Sequence, residues 1–345
     1  MSRTTRIAVV EIVLLLGLFT WAGSAGSGLS RAVPISQQRG FAMPTWEPSG
    51  YERGDAAGAL TQMVGVGSNW VQIVPTWYVS TRSATRIAAT SQGPTDQDVQ
   101  LAIGLAHARG LKVLLKPHVD SLDGTDRSKL APADAAAWFA SYTAFITHYA
   151  QLAQATRSEE FAVGTELDSM STHRPEWAAV IGGVRKVYAG PLVYAANDDA
   201  YTRVAFWDLV DLVGIDAYWT LSPVPTADVA TLRKTLEPQR DRLAAFAAQV
   251  HRQVLFTEAG FTSQRGATTN PSSQTVSTVP APDEQAAGYE ALLETFGQEP
   301  WWAGVFWWVW VDVPQDGVPA SLDFSVRGKP AEAVIRRWWS PPAAE

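Results

Sequence analysis

Residues 160–166 read Glu-Phe-Ala-Val-Gly-Thr-Glu, and residues 192–197 read Leu-Val-Tyr-Ala-Ala-Asn. Both runs are short and mostly apolar, and a helical pattern over residues 175–188 separates them. Strands that helices cover on both faces of a parallel sheet have this character. The stretch therefore predicts one strand–helix–strand unit.

The same alternation extends along the chain on both sides of this unit. It predicts eight strands, at 40–43, 70–75, 112–118, 160–166, 192–197, 212–218, 254–260 and 304–310. Helices are predicted near 53–65, 96–109, 133–155, 175–188, 200–208, 227–250, 283–297 and 329–338. Eight strand–helix units in roughly 300 residues favour an α/β fold with a single (β/α)8 TIM barrel. The alternative is an open doubly wound sheet, but no Gly-x-Gly-x-x-Gly follows the first strand and no phosphate-binding Gly-rich loop occurs.

The first 28 residues have the layout of a secretory signal. Arg3 and Arg6 precede an apolar run at 7–23, and small residues follow at 24–28. A positive start, an apolar middle and small residues at a cleavage point are typical of such signals. Glu11 lies inside the run, where an acidic residue costs about 2.5–3.5 kcal/mol in a membrane-spanning helix.

We therefore expect three segments in the chain. They are a signal peptide or membrane anchor at 1–25, a linker at 26–38 that is rich in Gly, Ser and Gln, and the (β/α)8 domain at 39–340. The expected location is outside the cell or on the outer side of the cytoplasmic membrane. Any membrane attachment is expected through residues 7–23 only.

The composition excludes several classes of function. The 345 residues include no cysteine, which excludes disulfides, thiolate metal sites and a cysteine nucleophile. The 27 Lys and Arg against 34 Asp and Glu give a net charge of −7 with no basic block after Arg6, so no nucleic-acid partner is expected. With five His in the chain and only His118 at a predicted strand end, metal-dependent hydrolysis is a weak alternative. We expect neither a metal nor an organic cofactor.

Two predicted strands end in a carboxylate. Glu166 ends the fourth strand and Glu258 lies near the end of the seventh, each in an apolar run where an unpaired acid is costly to bury. Strict alternation places Ala162, Gly164 and Glu166 on one face, which predicts that Glu166 points into the barrel. Active sites of such barrels lie at the carboxyl ends of the strands, and the fourth and seventh strands lie on opposite sides of the ring. Two facing carboxyl groups are what glycosidic bond cleavage needs, so we predict Glu166 and Glu258 as catalytic residues.

Other strand ends carry polar and aromatic side chains that suit a sugar. Five of the 15 tryptophans fall within residues 301–310, and flat indole surfaces stack on sugar rings. Lys116 lies one layer below a polar strand end and is expected to form a buried ion pair, with Asp216 as the candidate partner. Alternation places Asp216 and Tyr218 on one face, and Trp308 and Trp310 on one face. The predicted substrate-binding residues are His118, Asn197, Asp216, Tyr218, Trp308 and Trp310.

Six motifs, in order, resemble glycoside hydrolase family 113. They are Lys-Pro-His-Val-Asp at 116–120, Val-Gly-Thr-Glu-Leu at 163–167, Tyr-Ala-Ala-Asn at 194–197, Gly-Ile-Asp-Ala-Tyr at 214–218, Phe-Thr-Glu-Ala-Gly-Phe at 256–261 and Trp-Trp-Val-Trp at 307–310. The resemblance implies a barrel of the clan of retaining glycosidases and endo-acting cleavage of β-1,4-mannan. It implies a polysaccharide or oligosaccharide as the substrate partner.

The resemblance also implies roles for single residues. Glu166 would be the general acid/base and Glu258 the nucleophile, Tyr218 would hydrogen-bond the nucleophile, and Trp308 would form the floor under the sugar at the point of cleavage. The sequence departs from the wider clan at Thr165, where an asparagine usually contacts the sugar 2-hydroxyl. His118 or Asn197 could supply that contact.

Two other functions stay open at this point. An exported carbohydrate-binding barrel could have lost catalysis, although a pure binder has no need of a protonated acid facing a second carboxylate. A retaining β-glycosidase could also act on a polysaccharide other than mannan, since the spacing of motifs does not distinguish mannose from glucose.

Overall fold

The computed structural model describes residues 37–310 and 318–340. The predicted signal or anchor at 1–25 and almost all of the predicted linker at 26–38 lie outside the described residues. Within them, the strands are β1 (Gln38–Pro44), β2 (Trp70–Val74), β3 (Thr76–Val79), β4 (Lys112–Leu115), β5 (His118–Ser121), β6 (Glu160–Thr165), β7 (Leu192–Asn197), β8 (Leu212–Asp216), β9 (Val254–Ala259) and β10 (Trp302–Trp307).

Eight of these strands form a closed parallel barrel in the order β1-β10-β9-β8-β7-β6-β4-β2. Each barrel strand hydrogen-bonds in parallel to the strands on both sides, so the sheet has no free edge. The predicted (β/α)8 TIM barrel is confirmed, and the open doubly wound sheet is excluded.

Helices of the described residues connect the strands. They are α1 (Gly50–Arg53), α2 (Ala56–Gly65), α3 (Asp96–His107), α4 (Ala135–Thr156), α5 (Arg174–Arg185), α6 (Val229–Val250), α7 (Pro282–Phe296) and α8 (Pro330–Trp339). Side chains cap four of these helices; at α3, Thr95 accepts a hydrogen bond from the backbone of Asp98, and at α4, Asp134 accepts one from Ala137. The predicted short helix at 200–208 is instead a pair of 3-10 turns, Tyr201–Arg203 and Trp207–Leu209.

Prolines follow two of the barrel strands: Pro75 is the last residue of the predicted strand at 70–75, and Pro117 lies within the predicted strand at 112–118. Pro75 separates β2 from β3, and Lys116-Pro117 separates β4 from β5, because proline has no N–H to donate to a neighbouring strand. The strands after the prolines, β3 and β5, pair with each other as a small sheet. His118 therefore begins β5 rather than ending a barrel strand, and Asp120 lies on the same short strand.

The apolar residues form two layers. A small cluster fills the inside of the barrel, and a much larger one lies between the strands and the helices. The inner cluster consists of Trp70, Leu114, Ala162, Val193, Leu212, Leu255, Ala303 and Phe306. Since this cluster fills the interior, the barrel is a solid support rather than a pore. None of the helices in the described ranges is both long and apolar enough to cross a membrane.

Candidate active site

Glu258 lies near the end of β9, with its side chain 7% exposed. Lys116 Nζ donates to its Oε1 at 2.6 Å, and the Tyr218 hydroxyl donates to its Oε2 at 2.9 Å. Both carboxylate oxygens therefore accept a hydrogen bond, one from Tyr218 after the neighbouring strand β8 and one from Lys116 after β4 on the opposite side of the barrel. These two bonds fix the orientation of the carboxyl group at the barrel mouth.

Lys116 is fully buried and lies between two carboxylates. Its ammonium is 3.2 Å from Asp216 Oδ1 as well as 2.6 Å from Glu258, so the predicted ion pair with Asp216 is confirmed and Glu258 is a second partner. Asp216 also accepts a hydrogen bond of 2.7 Å from the Thr257 hydroxyl. Burial opposes the charged form of Lys116, but the Asp216 and Glu258 carboxylates outweigh burial and raise the pKa of the ammonium.

Glu166 reaches the barrel mouth through an irregular strand end. Between Ala162 and Thr165, β6 contains one residue more than the facing part of β7, which is a β-bulge. Gly164 consequently faces the helices: a Cβ there would lie 2.8 Å from the ring of Tyr194. The prediction that Ala162, Gly164 and Glu166 share one face is therefore wrong.

The backbone of Glu166 itself is unusual. It has a φ of 51°, in the left-handed region that costs a residue with a side chain about 1–2 kcal/mol. Its N–H donates to the carbonyl of Ala195 on β7 at 2.8 Å, which holds this conformation. The bulge and the turn at Glu166, rather than strict alternation, aim the carboxyl group.

The Glu166 carboxyl has an environment unlike that of Glu258. Burial raises its pKa, the Asp216 and Glu258 carboxylates raise it further, and the Arg127 and Lys116 cations partly oppose them. The net result is a pKa above the ordinary value for glutamate. Glu166 therefore has the property of a general acid, while Glu258 is the carboxylate held by two donors.

Arg127 was not predicted from the sequence. It begins a 3-10 turn, Arg127–Lys129, in the loop after β5, and its Nη1 donates to Glu166 Oε2 at 2.8 Å. Asp120 accepts from Nε at 2.9 Å and from Nη2 at 2.5 Å, so the guanidinium bridges two carboxylates. A loop has no hydrophobic periodicity that could mark such a residue. The sequence feature that could have pointed to Arg127 is an arginine close to the acidic residue Asp120 in the segment after His118.

Two buried polar atoms beside the carboxyl groups have no hydrogen-bond partner in the described structure: His118 Nε2 and Thr165 Oγ1. His118 Nε2 lies 3.8 Å from Glu258 Oε1. Burial, Arg127 and Lys116 hold the pKa of His118 well below its usual range, so the imidazole is neutral at neutral pH. An unpartnered buried polar atom is costly unless a ligand satisfies it, so both atoms suit the hydroxyl groups of a bound sugar.

Of three other predicted binding residues, one is bonded to a neighbouring acid and two lie together at the barrel mouth. Asn197, at the end of β7, donates to Asp168 Oδ2 at 3.1 Å, so its amide is tied to a neighbouring acid. Tyr218 and Trp308 are partly buried and pack against the same small apolar cluster at the barrel mouth, formed by Ala42, Val309 and Phe324. Trp308 therefore lies on the same side of the barrel mouth as Tyr218, the residue that donates a hydrogen bond to Glu258.

Trp310 does not join this group. Its indole is 1% exposed and packs edge-on against Phe41, with ring centroids 4.7 Å apart, in the large outer cluster. The prediction that Trp308 and Trp310 share a face is wrong, because regular strand structure ends at Trp307 and alternation does not continue past it. This position makes Trp310 a packing residue of the barrel wall.

A cavity of about 580 Å³ opens beside Glu166. Its lining includes Trp46, whose side chain is 37% exposed, together with Tyr78, Gln92, Asp120, Arg127 and Glu166. Among the described residues, no group of three or more His, Asp or Glu is arranged to hold a metal ion. The arrangement can transfer a proton to or from Glu166 at the wall of a polar and aromatic cavity, and it holds a second carboxylate, Glu258, in one orientation.

The chain matches the model of Glycoside Hydrolase Family 113 over residues 42–329. A GH113 β-1,4-mannanase in a complex is similar in structure, with a TM-score of 0.79 and 26% identity over 88% of this chain and 99% of that one. The β-mannanase AaManA from Alicyclobacillus acidocaldarius, in complex with ManMIm, has a TM-score of 0.79 and 29% identity over 88% of this chain and 97% of that one.

More distant structures share the barrel alone. A β-glucuronidase from Faecalibacterium prausnitzii has a TM-score of 0.59 and 14% identity over 88% of this chain and 49% of that one. No curated protein sequence matches the chain. The family match spans most of the chain and includes both glutamates at the barrel mouth. The chain therefore belongs to glycoside hydrolase family 113 and is a glycoside hydrolase.

Proposed function

We propose that this protein is a retaining β-1,4-mannanase in which Glu258 is the nucleophile and Glu166 the general acid/base. The observation that carries the proposal is the contrast between the two carboxyl groups. Both oxygens of Glu258 accept hydrogen bonds, from Lys116 and Tyr218, whereas burial and neighbouring carboxylates raise the pKa of Glu166. Two carboxyl groups in different environments are the requirement of glycosidic bond cleavage.

In the first step, a Glu258 oxygen forms a bond to the anomeric carbon while the bond to the glycosidic oxygen breaks. Glu166 gives its proton to the departing oxygen and becomes a carboxylate. Tyr218 and Lys116 keep the attacking carboxylate in one orientation, so little rearrangement precedes the attack.

In the second step, a water molecule occupies the place of the leaving group. Its oxygen bonds to the anomeric carbon as the bond to Glu258 breaks, and its proton passes to Glu166. The product sugar retains the β configuration, and both glutamates return to their starting states.

The mannan substrate is supported by the family and by the polar groups around Glu258. The two structures with 26% and 29% identity are β-mannanases. Trp308 offers a partly exposed indole to a sugar ring. His118 Nε2, 3.8 Å from Glu258, and Thr165 Oγ1, on the residue before Glu166, have unused hydrogen-bonding capacity. We assign the contact to the sugar 2-hydroxyl to this pair rather than to Asn197, whose amide already binds Asp168.

The proposal is tested first with β-1,4-manno-oligosaccharides and the purified protein. Proton NMR during hydrolysis should show the β anomer as the first product, because two displacements preserve configuration. If the α anomer appears first, the reaction inverts and Glu258 is not a nucleophile. If cello-oligosaccharides are hydrolysed and manno-oligosaccharides are not, the enzyme is a retaining β-glycosidase with another substrate.

Variants at the two glutamates assign their roles. Glu258→Ala should lower turnover by roughly a factor of 1,000 or more, and azide should restore cleavage of an activated aryl β-mannoside as an α-mannosyl azide. Glu166→Ala with azide should instead give the β-mannosyl azide. Glu237→Gln, an exposed position on α6, is the matched control and should behave as wild type. Full activity of Glu258→Ala would contradict the mechanism.

A barrel that only binds sugar is the alternative that the same assays address. It predicts binding of manno-oligosaccharides by calorimetry with no product, for wild type and variants alike. The contrasting environments of Glu166 and Glu258 favour catalysis, since binding alone requires no acid with a raised pKa.

We also propose that the enzyme acts outside the cytoplasm, either secreted or attached through residues 7–23. The support is the pattern of Arg3 and Arg6, an apolar run and small residues at 24–28. Expression of the full chain, followed by cell fractionation and N-terminal sequencing, tests this. An activity confined to the cytoplasm with an uncleaved N-terminus would contradict it.

A further inference from the structure

Arg127 is a charged residue of the site that neither step of the mechanism uses. Its side chain is 17% exposed, and all three hydrogen bonds described for it go to carboxylates: one to Glu166 and two to Asp120. A guanidinium at 2.8 Å from Glu166 favours the charged form of that carboxyl group. A general acid must nevertheless hold a proton, so this contact needs an explanation.

The explanation lies in the balance of charge around Glu166. Within the described residues, the groups with the largest effects on its carboxyl are Asp216, Arg127, Glu258 and Lys116, and the Tyr194 and Tyr218 hydroxyls also interact with it. Burial, Asp216 and Glu258 favour the protonated form, and the Arg127 and Lys116 cations oppose them. Lys116 is already paired with Asp216 and Glu258, so Arg127 is the cation in direct contact with Glu166.

We propose that Arg127, held in place by Asp120, is a positioning residue that stabilises the carboxylate form of Glu166 whenever the proton has left it. The inference rests on the proposed role of Glu166 as acid/base and adds a residue to that reaction. Without a cation at this place, burial and two carboxylates would make Glu166 a weak acid. With Arg127 present, Glu166 keeps its proton in the free enzyme and still transfers it as the glycosidic bond breaks.

Two features fit this role and distinguish it from simple packing. The Nη1–Oε2 contact of 2.8 Å fixes one oxygen of Glu166, which leaves the other oxygen for the proton and the leaving group. Asp120 takes the remaining described donors, Nε and Nη2, so the guanidinium plane is set from the side away from Glu166. The position also places Arg127 on the wall of the cavity of about 580 Å³ beside Glu166.

The first test compares substrates that differ in their need for a proton. In Arg127→Met, kcat/KM for mannohexaose should fall about tenfold or more, whereas kcat/KM for 2,4-dinitrophenyl β-mannoside should change less than about threefold. Dinitrophenolate leaves without protonation, and kcat/KM reports only the steps through its departure. An equal loss on both substrates would show a structural role and overturn the proposal.

The second test measures the proton on Glu166 directly and needs no substrate. The protein is labelled with [δ-13C]glutamate, and the Glu166 signal is assigned by its absence in Glu166→Gln. Its midpoint of titration should rise by about one unit or more in Arg127→Met, and by less in Arg127→Lys, which keeps a cation. The alkaline limb of kcat/KM should move upward in the same order.

Control variants separate the effect of Arg127 from a general loss of positive charge or of folding. Lys129→Met removes an exposed cation from the same 3-10 turn and should leave the titration and both kinetic ratios as in wild type. If Arg127→Met does not fold, Arg127→Lys carries the comparison, with an intermediate shift expected. An unchanged Glu166 titration in the folded variant overturns the inference. Failure of wild type to hydrolyse any mannoside overturns the proposed function instead, and the titration still decides the inference.

Discussion

The Lys116 ammonium lies 2.6 Å from Oε1 of Glu258, and neither side chain has appreciable contact with solvent. The same ammonium is 3.2 Å from Asp216, so one buried cation neutralises two carboxylates. A buried charge without a partner is strongly unfavourable, and the three groups therefore depend on one another. The support of the proposed nucleophile begins with this lysine, which comes from a break between two strands.

Lys116→Met should impair both stability and catalysis. It leaves Asp216 and Glu258 facing each other without a cation, which costs about 3–5 kcal/mol when one partner of a buried pair is removed. Asp216 should also retain a proton to higher pH without the lysine, and Glu258 loses the hydrogen bond that orients its Oε1, so kcat at neutral pH should fall steeply. Urea unfolding and kcat on manno-oligosaccharides measure the two effects.

Lys186→Met, at an exposed position after α5, is the matched control for loss of one positive charge and should equal wild type in both measurements. If Lys116→Met has the same kcat and the same stability as wild type, the contact between Lys116 and Glu258 contributes to neither.

Tyr218→Phe removes the hydroxyl that donates to Glu258 Oε2 at 2.9 Å and keeps the ring that packs at the barrel mouth. A hydrogen bond to a charged group contributes about 1.5–3 kcal/mol, so kcat/KM should fall roughly 10- to 150-fold with little change in unfolding temperature. Tyr188→Phe is the control, since its buried hydroxyl donates to the Ser158 carbonyl among the outer helices. Equal kcat/KM in Tyr218→Phe and wild type would exclude a role for this hydroxyl.

The barrel could be predicted from the sequence because buried parallel strands leave a plain apolar signal. The errors in the fold follow from local chemistry that competes with that signal. Pro117 interrupts the predicted strand at 112–118, β3 after Pro75 was not predicted, and the segment at 200–208 is too short and irregular to complete an α-helix. Each proline is visible in the sequence. Its effect on the hydrogen bonding of the barrel depends on which strand lies beside it, and this is known only from the fold.

The candidate site was predictable in its residue types and less so in its geometry. Glu166 was placed at the mouth by alternation, yet the structure brings it there through a bulge and a left-handed residue. A bulge adds one residue to a strand, and no periodicity reveals it. Arg127 was missed because loop contacts depend on tertiary structure, whereas the pair of Lys116 and Asp216 followed from two strand ends.

The two tryptophans that were predicted together should give opposite results. Trp308→Leu removes a partly exposed indole beside Tyr218, and the loss of about 1.5–3 kcal/mol of sugar contact should lower kcat/KM roughly 10- to 150-fold. Trp310→Phe alters a buried indole that packs on Phe41, so it should lower the free energy of unfolding by about 1–3 kcal/mol and leave kcat/KM unchanged. A loss of kcat/KM in Trp310→Phe without loss of stability would return Trp310 to the substrate-binding residues.

The other end of the barrel contains a second glutamate with a raised pKa and no part in the reaction. Glu160 begins β6, is 2% exposed, and accepts a hydrogen bond of 2.8 Å from Gln38. Burial raises the pKa of Glu160 from 4.5 to about 8, against the opposing effect of the Gln38 hydrogen bond. The folded protein therefore keeps this proton over a pH range in which the unfolded chain has lost it.

The free energy of unfolding should consequently fall as pH rises from about 4.5 to about 8. Above about pH 8, Glu160 should cause no further change in it. Below that range both states are protonated and the contribution of Glu160 is fully present; above it the folded state has also lost the proton. Each unit of pKa difference corresponds to about 1.4 kcal/mol, so the loss is on the order of a few kcal/mol.

Glu160→Gln should remove this loss, because glutamine is neutral at every pH and its carbonyl can still accept from Gln38. Urea unfolding at pH 5, 6, 7 and 8 should show wild type losing stability toward pH 8 and the variant losing less, so that the variant is the more stable protein at pH 8. Glu237→Gln, exposed on α6, should follow wild type throughout. Activity on manno-oligosaccharides should be the same in all three proteins, since Glu160 and the catalytic pair lie at opposite ends of the barrel strands. Parallel stability curves for wild type and Glu160→Gln would mean that the buried carboxyl group is ionised at neutral pH and compensated in the folded state.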